Sequence, residues 1–318
     1  MRGESNRDLP PGDPRSRVPA VGLSRVDEPF DRVAQVLAGY RVERLIGMGA
    51  MGTIWMVRHV ERGDVAVAKV SESDLVDITD SLGRERFLRE AVVLASVRHP
   101  NVVSLFEVGQ TSAGEPFLIM ERLVGEPLDE LLSQRAPCAD DVIAIGAELL
   151  AGLEAVHAAG VLHRDVKPEN VFLARVDGRT VVKLLDFGLS RGLHWRAGKI
   201  TRAGRAVGTP GYMSPEQARG RRDLDPRTDL YSVGVVLYEM LARRRPFEGL
   251  TPTDVMVRAC TESPVPLAEL RPDLPPSLTA LVMRAFRCER EERFASAAEM
   301  RAALEECGGA MAAGRRAG

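Results

Sequence analysis

The octet His163-Arg164-Asp165-Val166-Lys167-Pro168-Glu169-Asn170 places an acid, a cation and an amide within five positions, and Asp186-Phe187-Gly188 follows sixteen residues after the amide. Such a set suits phosphoryl transfer. The transition state of that reaction demands charge neutralisation and in-line positioning more than covalent help, so the acid need only orient a hydroxyl and take its proton late. One octet of this kind can arise by chance in a loop. Its weight depends on whether the remaining parts appear in order along the chain.

They do. Tyr40 to Ile46 reads as a strand and runs into Gly47-Met48-Gly49-Ala50-Met51-Gly52. A lone G-x-G-x-x-G is also used by dinucleotide-binding proteins, where the glycines open a helix. Here the β-branched and aromatic run Thr53-Ile54-Trp55-Met56-Val57 follows instead, which predicts a second strand and a glycine hairpin flanked by Ile46 and Ile54. After a turn at Glu61-Arg62-Gly63-Asp64, a third strand, Val65 to Val70, carries Lys69 near its end. A lysine there is costly unless paired. The next helix, Arg84 to Ser96, turns Phe87, Ala91 and Leu94 inward and puts Glu90 on the same face, within expected reach of Lys69. Strands over Val102–Val108 and Pro116–Met120 complete a five-strand antiparallel sheet that ends at a hinge, Glu121-Arg122-Leu123.

From Leu128 the chain turns helical. Val142, Ile145, Leu149, Leu153 and Val156 repeat at three- and four-residue steps and predict a helix between Asp140 and Gly160 that delivers the chain into the octet. A hairpin turning on Asp177-Gly178 then presents Asp186. Residues 189–213 read as a long loop, and helices are expected at 228–243, 253–261, 277–288 and 296–306.

Composition narrows the setting. Net charge is −2 and apolar residues make up 45%, which permits a sizeable core and gives no reason to expect nucleic acid as a partner. Cys138, Cys260, Cys288 and Cys307 form no C-x-x-C pair and read as reduced thiols, with neither a disulfide framework nor a zinc site. No signal peptide or membrane span is expected, so the reading is cytoplasmic. Residues 1–26 are expected to be disordered, 27–39 to form a short helix with Phe30, Val33, Ala34 and Leu37 on one face, and 308–318 to be a flexible tail.

The ordered series of glycine loop, Lys69, Glu90, H-R-D…N, D-F-G and Ser214-Pro215-Glu216 resembles the eukaryotic-type Ser/Thr protein kinases of bacteria over roughly residues 40–307. The resemblance implies an α+β, two-lobed fold with a small antiparallel-sheet lobe carrying one main helix (40–122) and a larger, mostly helical lobe (123–307). It implies ATP in the cleft, Mg²⁺ as cofactor and protein substrates. Lys69 is then the lysine on the α- and β-phosphates, positioned by Glu90. Asp165 is the base, Lys167 sits near the γ-phosphate, Thr209 joins that lysine to the base, and Asn170 and Asp186 are the metal ligands. The nucleotide pocket is drawn from Ile46, Gly47, Gly49, Gly52, Ile54, Val67, Lys69, Met120 at the gatekeeper position, Glu121 and Leu123. Asp229 matches the buried carboxylate that anchors the catalytic loop, and Glu216 with Arg293 matches a structural ion pair.

Three residues depart from the family pattern. Val67 stands where alanine is usual, unless a small shift of the strand puts Ala68 there; Ser214 and Trp55 replace an alanine and a tyrosine. Arg164 beside the base implies control by a phosphate on the activation loop, and Thr201, among Lys199, Arg202 and Arg205, is the expected site of autophosphorylation. Kinases of this family can pair through their small lobes, so a homodimer is a further expectation from the resemblance. Two readings compete: a nucleotide-binding scaffold without catalysis, and a small-molecule phosphotransferase of related fold, against which the activation segment with Thr209 and Ser214-Pro215-Glu216 argues.

Overall fold

Alternation of small and branched residues along Val65–Val70 sets the central strand of the first sheet. In the computed structural model, which describes residues 37, 39–49, 52–71, 81–111, 114–187 and 210–317, the strands are β1 (Tyr40–Gly49), β2 (Gly52–His59), β3 (Val65–Val70), β4 (Leu105–Gln110) and β5 (Pro116–Glu121). They pair antiparallel in the order β1-β2-β3-β5-β4. Ala66, Ala68 and Val70 face a buried cluster with Trp55, Val57, Phe117 and Ile119, while Val65, Val67 and Lys69 share the other face. The β2–β3 ladder runs without a break from Thr53↔Val70 to Arg58↔Val65. A one-residue slip would turn every side chain over, so the strand shift considered for Ala68 does not occur and Val67 lies on the Lys69 face.

Helix α1 (Ser81–Ser96) covers the sheet, with Ala91 and Leu94 buried. The fourth strand begins later than its apolar run implies. Val102 bridges in parallel to Leu184, and Val103 N–H donates to Leu184 O at 3.1 Å. The cause is Asn101, whose Nδ2 donates to Glu148 Oε2 and Val182 O, both at 2.9 Å, and so ties this stretch to the larger lobe.

The larger lobe contains β6 (Gly125–Pro127), α2 (Leu128–Gln134), α3 (Ala139–Ala158), β7 (Val171–Val176) and β8 (Arg179–Leu184). Then follow α4 (Pro215–Ala218), α5 (Arg227–Ala242), α6 (Pro252–Thr261), α7 (Leu267–Leu270), α8 (Pro276–Ala285) and α9 (Ala297–Ala317). Asp177 and Gly178 both take positive φ, 49° and 78°, the turn that matches strand twist in a two-residue hairpin. Helix α5 is buried along nearly its whole length. Against it α3 packs so closely that a Cβ on Gly146 would lie 2.8 Å from Leu237 and 2.7 Å from Leu304 of α9. One hydrophobic cluster runs from Leu94 and Leu105 through Phe187 to α5, α8 and α9, so the lobes share a core across the hinge.

Helix α9 continues through the stretch expected to be a flexible tail. Gly308 and Gly309 read as a stop, but Cys307 is buried, Met311 packs on the core, and Gly308 lies close against Ile143. Tertiary packing overrides the local glycine penalty there. The segments expected at 1–26 and most of 27–39 lie outside the described residues, as do the N-terminal side chains of α1, Phe87 included. Among the described residues, no helix is long and apolar enough to cross a membrane.

Candidate active site

The site is assembled on one buried carboxylate. Asp229, in the first turn of α5, accepts from His163 N–H (2.9 Å) and Arg164 N–H (2.7 Å), and its Oδ2 lies 2.7 Å from His157 Nε2. Burial alone would push this carboxyl up, but His157 and the nearby His163 hold it below the usual aspartate range. Arg164 needs such a clamp, because its φ of 63° is left-handed for a residue with a Cβ. Gln217 of α4 grips it from the other side, donating to Arg164 O at 3.0 Å.

His163 is fully buried. Its Nε2 meets Leu185 O at 2.7 Å and its Nδ1 accepts from Asp165 N–H at 3.2 Å, an arrangement that suits a neutral ring with the proton on Nε2. Burial lowers its pKa accordingly. The ring also lies 4.9 Å from that of Phe187, so the catalytic loop and the Asp186 turn are registered against each other.

Asp165, Lys167 and Asn170 converge as expected. Asn170 Nδ2 donates to Asp165 O at 2.7 Å and to Asp165 Oδ2 at 3.1 Å, and Lys167 Nζ stands 3.7 Å from the same oxygen. The 3-10 turn Pro168–Asn170 makes this possible by folding the amide back over the acid. Nδ2 is committed, and among the described residues no hydrogen bond reaches Asn170 Oδ1, which leaves it as an oxygen donor for a ligand.

Lys69 and Glu90 do not pair. Lys69 Nζ contacts Asp186 Oδ1 at 2.7 Å, and Glu90 instead accepts from Arg164 Nη1 at 3.3 and 3.4 Å. The expectation from the helix face was right about Glu90 pointing inward but wrong about its cation. Two cations compete for two acids in this corner, and the lysine sits on the acid at the end of the β8 segment. Arg164 Nε is buried without a hydrogen-bond partner among the described residues, so this arginine is only partly satisfied.

The cleft wall follows from strand register. Gly47↔Ile54, Ile54↔Lys69 and Lys69↔Leu118 form one rung, and Met56↔Val67 and Val67↔Met120 form the next one on the same face. Gly49 faces Gly52, so the glycines close a hairpin and open no helix, which removes the dinucleotide alternative. Gly52 has φ 127°, and a Cβ there would fall 2.0 Å from Val70 O. At the hinge, Glu121 pairs with Lys183 at 2.8 Å and its N–H donates to Ser104 O at 3.0 Å. That amide is therefore not open for a base edge.

Ser214 caps α4, accepting from Gln217 N–H while Gln217 Oε1 accepts from Ser214 N–H, a capping box that the usual alanine could not make. Glu216 and Arg293 form the expected ion pair at 2.7 and 2.8 Å, with Arg293 wholly buried. Gly188, Thr201 and Thr209 lie outside the described residues. Among the described residues no cluster of three or more His, Cys, Asp or Glu could hold a metal. Mg²⁺ does not require such a cage, since it is commonly held by one or two side-chain oxygens together with phosphates and water. The Asn170 and Asp186 oxygens fit that description.

Sequence reasoning missed His157, Gln217, Lys183 and the Glu90–Arg164 contact. None carries a local signal. Only the close spacing of His157 and His163 could have drawn attention to the first.

The architecture and this cleft are those of the two-lobed kinases, a small antiparallel lobe hinged to a helical one. Residues 40–303 match the protein kinase domain family, and the chain belongs to it. It is 39% identical over 272 residues to the serine/threonine-protein kinase pkn3 of Myxococcus xanthus, covering 84% of this chain and 49% of that protein. It is 36% identical over 270 residues to the serine/threonine-protein kinase PknB of Mycolicibacterium smegmatis, covering 83% and 42%. The chain thus spans about half or less of the length of these curated relatives. Among solved structures it is similar to the PknI kinase domain of Mycobacterium tuberculosis, with a TM-score of 0.68 and 27% identity over 86% of this chain and 98% of that one.

Proposed function

We propose that this chain is an ATP-dependent Ser/Thr protein kinase that moves the γ-phosphate of ATP to protein hydroxyls. The observation that carries the reading is the convergence of Asp165, Lys167 and Asn170 on a loop locked by Asp229, next to the Lys69–Asp186 pair. Asp165 orients the acceptor hydroxyl and receives its proton as the new P–O bond forms. Lys167 and Lys69 offset the negative charge of the phosphates. Asn170 and Asp186 would hold Mg²⁺, which would supply neutralisation of the phosphate charge. The adenine lies against Val67, Met120 and Ile54 under the glycine hairpin, and with the Glu121 amide engaged, the hinge donor falls to Leu123.

Activity is switched by autophosphorylation at Thr201. The support is the placement of Arg164, which is partnered by Glu90 and keeps one buried nitrogen unsatisfied. A phosphate on Thr201 gives Arg164 a stronger, doubly charged partner and frees Glu90 to reach Lys69. Incubation of the purified chain with ATP and Mg²⁺, followed by phosphosite mapping, tests this. Label at Thr201, with a large loss of transfer to a protein acceptor in Thr201→Ala, is expected. Full activity of Thr201→Ala with no phosphate on residues 188–209 would refute the switch while leaving the kinase reading intact.

A further inference from the structure

Two cysteines that are 28 positions apart in sequence come together beneath the Ser214–Arg219 segment. Cys260 is in the last turn of α6 and Cys288 follows α8; both are half-buried. Cys288 Sγ lies 3.7 Å from Cys260 O. Arg219, just after α4, reaches both residues: its Nη2 donates to Cys260 O at 3.3 Å and lies 3.6 Å from Cys288 Sγ. Cys260 Sγ rests 3.9 Å from Pro215 O. The thiolate is the reactive form of cysteine, Arg219 sets a positive charge beside Cys288 Sγ, and a second cysteine alongside gives an oxidised sulfur somewhere to go.

We propose that Cys260 and Cys288 form a dithiol modification site that hydrogen peroxide oxidises to a disulfide. The Cys288 thiolate attacks one peroxide oxygen. The O–O bond breaks, hydroxide leaves and takes a proton to become water, and Cys288 becomes the sulfenic acid. The Cys260 sulfur then attacks the Cys288 sulfur, the S–O bond breaks, and the hydroxyl departs as water with the Cys260 proton. Two thiols are oxidised by two electrons in total, and one peroxide is reduced to two waters. Burial pushes the Cys260 thiol up, against the pull of Arg219, so Cys288 and not Cys260 is the sulfur that meets the peroxide first. Forming the bond requires its sulfur to leave the Pro215 carbonyl.

The site is coupled to the region that holds α4. Arg293 Nη2 donates to Cys288 O at 2.9 Å while the same guanidinium grips Glu216. Tying Cys288 to α6 draws on that carbonyl, loosens the Glu216–Arg293 clamp and slows transfer to a protein acceptor. This consequence rests on the kinase reading above; the thiol chemistry does not.

The test is hydrogen peroxide titration of the purified full chain with peptide mapping under non-reducing conditions. A cross-linked Cys260–Cys288 peptide, lighter by two hydrogens and restored by dithiothreitol, is expected. In Cys260→Ser, a dimedone-type reagent should trap the sulfenic acid at Cys288, and Arg219→Gln should slow oxidation with an unchanged thermal midpoint. Oxidation confined to the exposed Cys138, or over-oxidation of Cys288 with no cross-link in the parent chain, would overturn the site. For the coupling, the oxidised chain should show a raised KM for a protein acceptor and an unmoved KM for ATP, with both KM values unchanged as the contrary result. A chain that transfers no phosphate in either redox state fails the kinase reading, and the peptide map still decides the dithiol.

Discussion

Val67 shows how much a single side chain contributes to the cleft. It shares the Lys69 face of β3 and sits opposite Met120, so its two methyl groups narrow the space into which a purine ring would slide. Val67→Ala relieves that crowding and is expected to lower the KM for ATP by roughly tenfold, in the range that one or two methyl groups command in an apolar pocket. Steady-state kinetics with ATP varied would show it; an unchanged KM would mean that Val67 does not touch the nucleotide. Glu90 teaches the opposite lesson at the same scale. Its inward direction follows from helix periodicity, but its partner depends on where Arg164 is held by Asp229 and Gln217, and no pattern in the α1 sequence encodes that.

At the scale of elements, the catalytic loop is a short segment held by hydrogen bonds to groups far away in sequence. His163 is the part most sensitive to pH. Its folded pKa is lowered by burial from an ordinary 6.5, so below that pH the unfolded chain binds a proton that the folded chain refuses. The stability this lends is complete above about pH 6.5 and is lost as the medium is acidified. Asp229 and Glu216, also lowered, add their own losses only further down, below about 3.8 and 4.5. The urea midpoint is therefore expected to fall between about pH 7.5 and 5.5, and His163→Gln should flatten that slope while lowering stability at neutral pH. An equal slope in the variant would place the titrating group elsewhere. In the glycine hairpin, Gly52→Ala puts a Cβ against Val70 O and forces the β2–β3 ladder apart at the lid. Thermal denaturation should show a loss of at least about 1 kcal/mol.

At the scale of the molecule, the two lobes share one core, and the larger lobe is pinned by the Glu216–Arg293 pair. Arg293→Ala leaves a buried carboxylate without its cation and is expected to cost about 3–5 kcal/mol in urea unfolding. Replacing both partners by apolar residues of similar volume should recover much of that loss. Much of this architecture was legible in the chain alone. Alternation in Val65–Val70, the glycine hairpin, the Asp177-Gly178 turn and the apolar stripe of 142–156 are local signals, and each formed where they pointed. The late start of β4 and the continuation of α9 past Gly308 were not legible, because Asn101 and Met311 act through contacts distant in sequence. In the site, Asp165, Lys167 and Asn170 stood out by their order and spacing, whereas Asp229 was reached only through the resemblance to the kinase family. His157, Gln217 and the Cys260–Cys288 contact arise only when helices meet.

The most direct test of the central claim compares the purified chain with Asp165→Asn under labelled ATP and Mg²⁺, with a protein acceptor present. The account predicts label on Ser and Thr side chains with the parent chain, and a fall of about 10²- to 10⁴-fold in the variant, which keeps the fold and still binds ATP. Transfer that persists undiminished in Asp165→Asn, or a parent chain that binds ATP and transfers nothing, would contradict it.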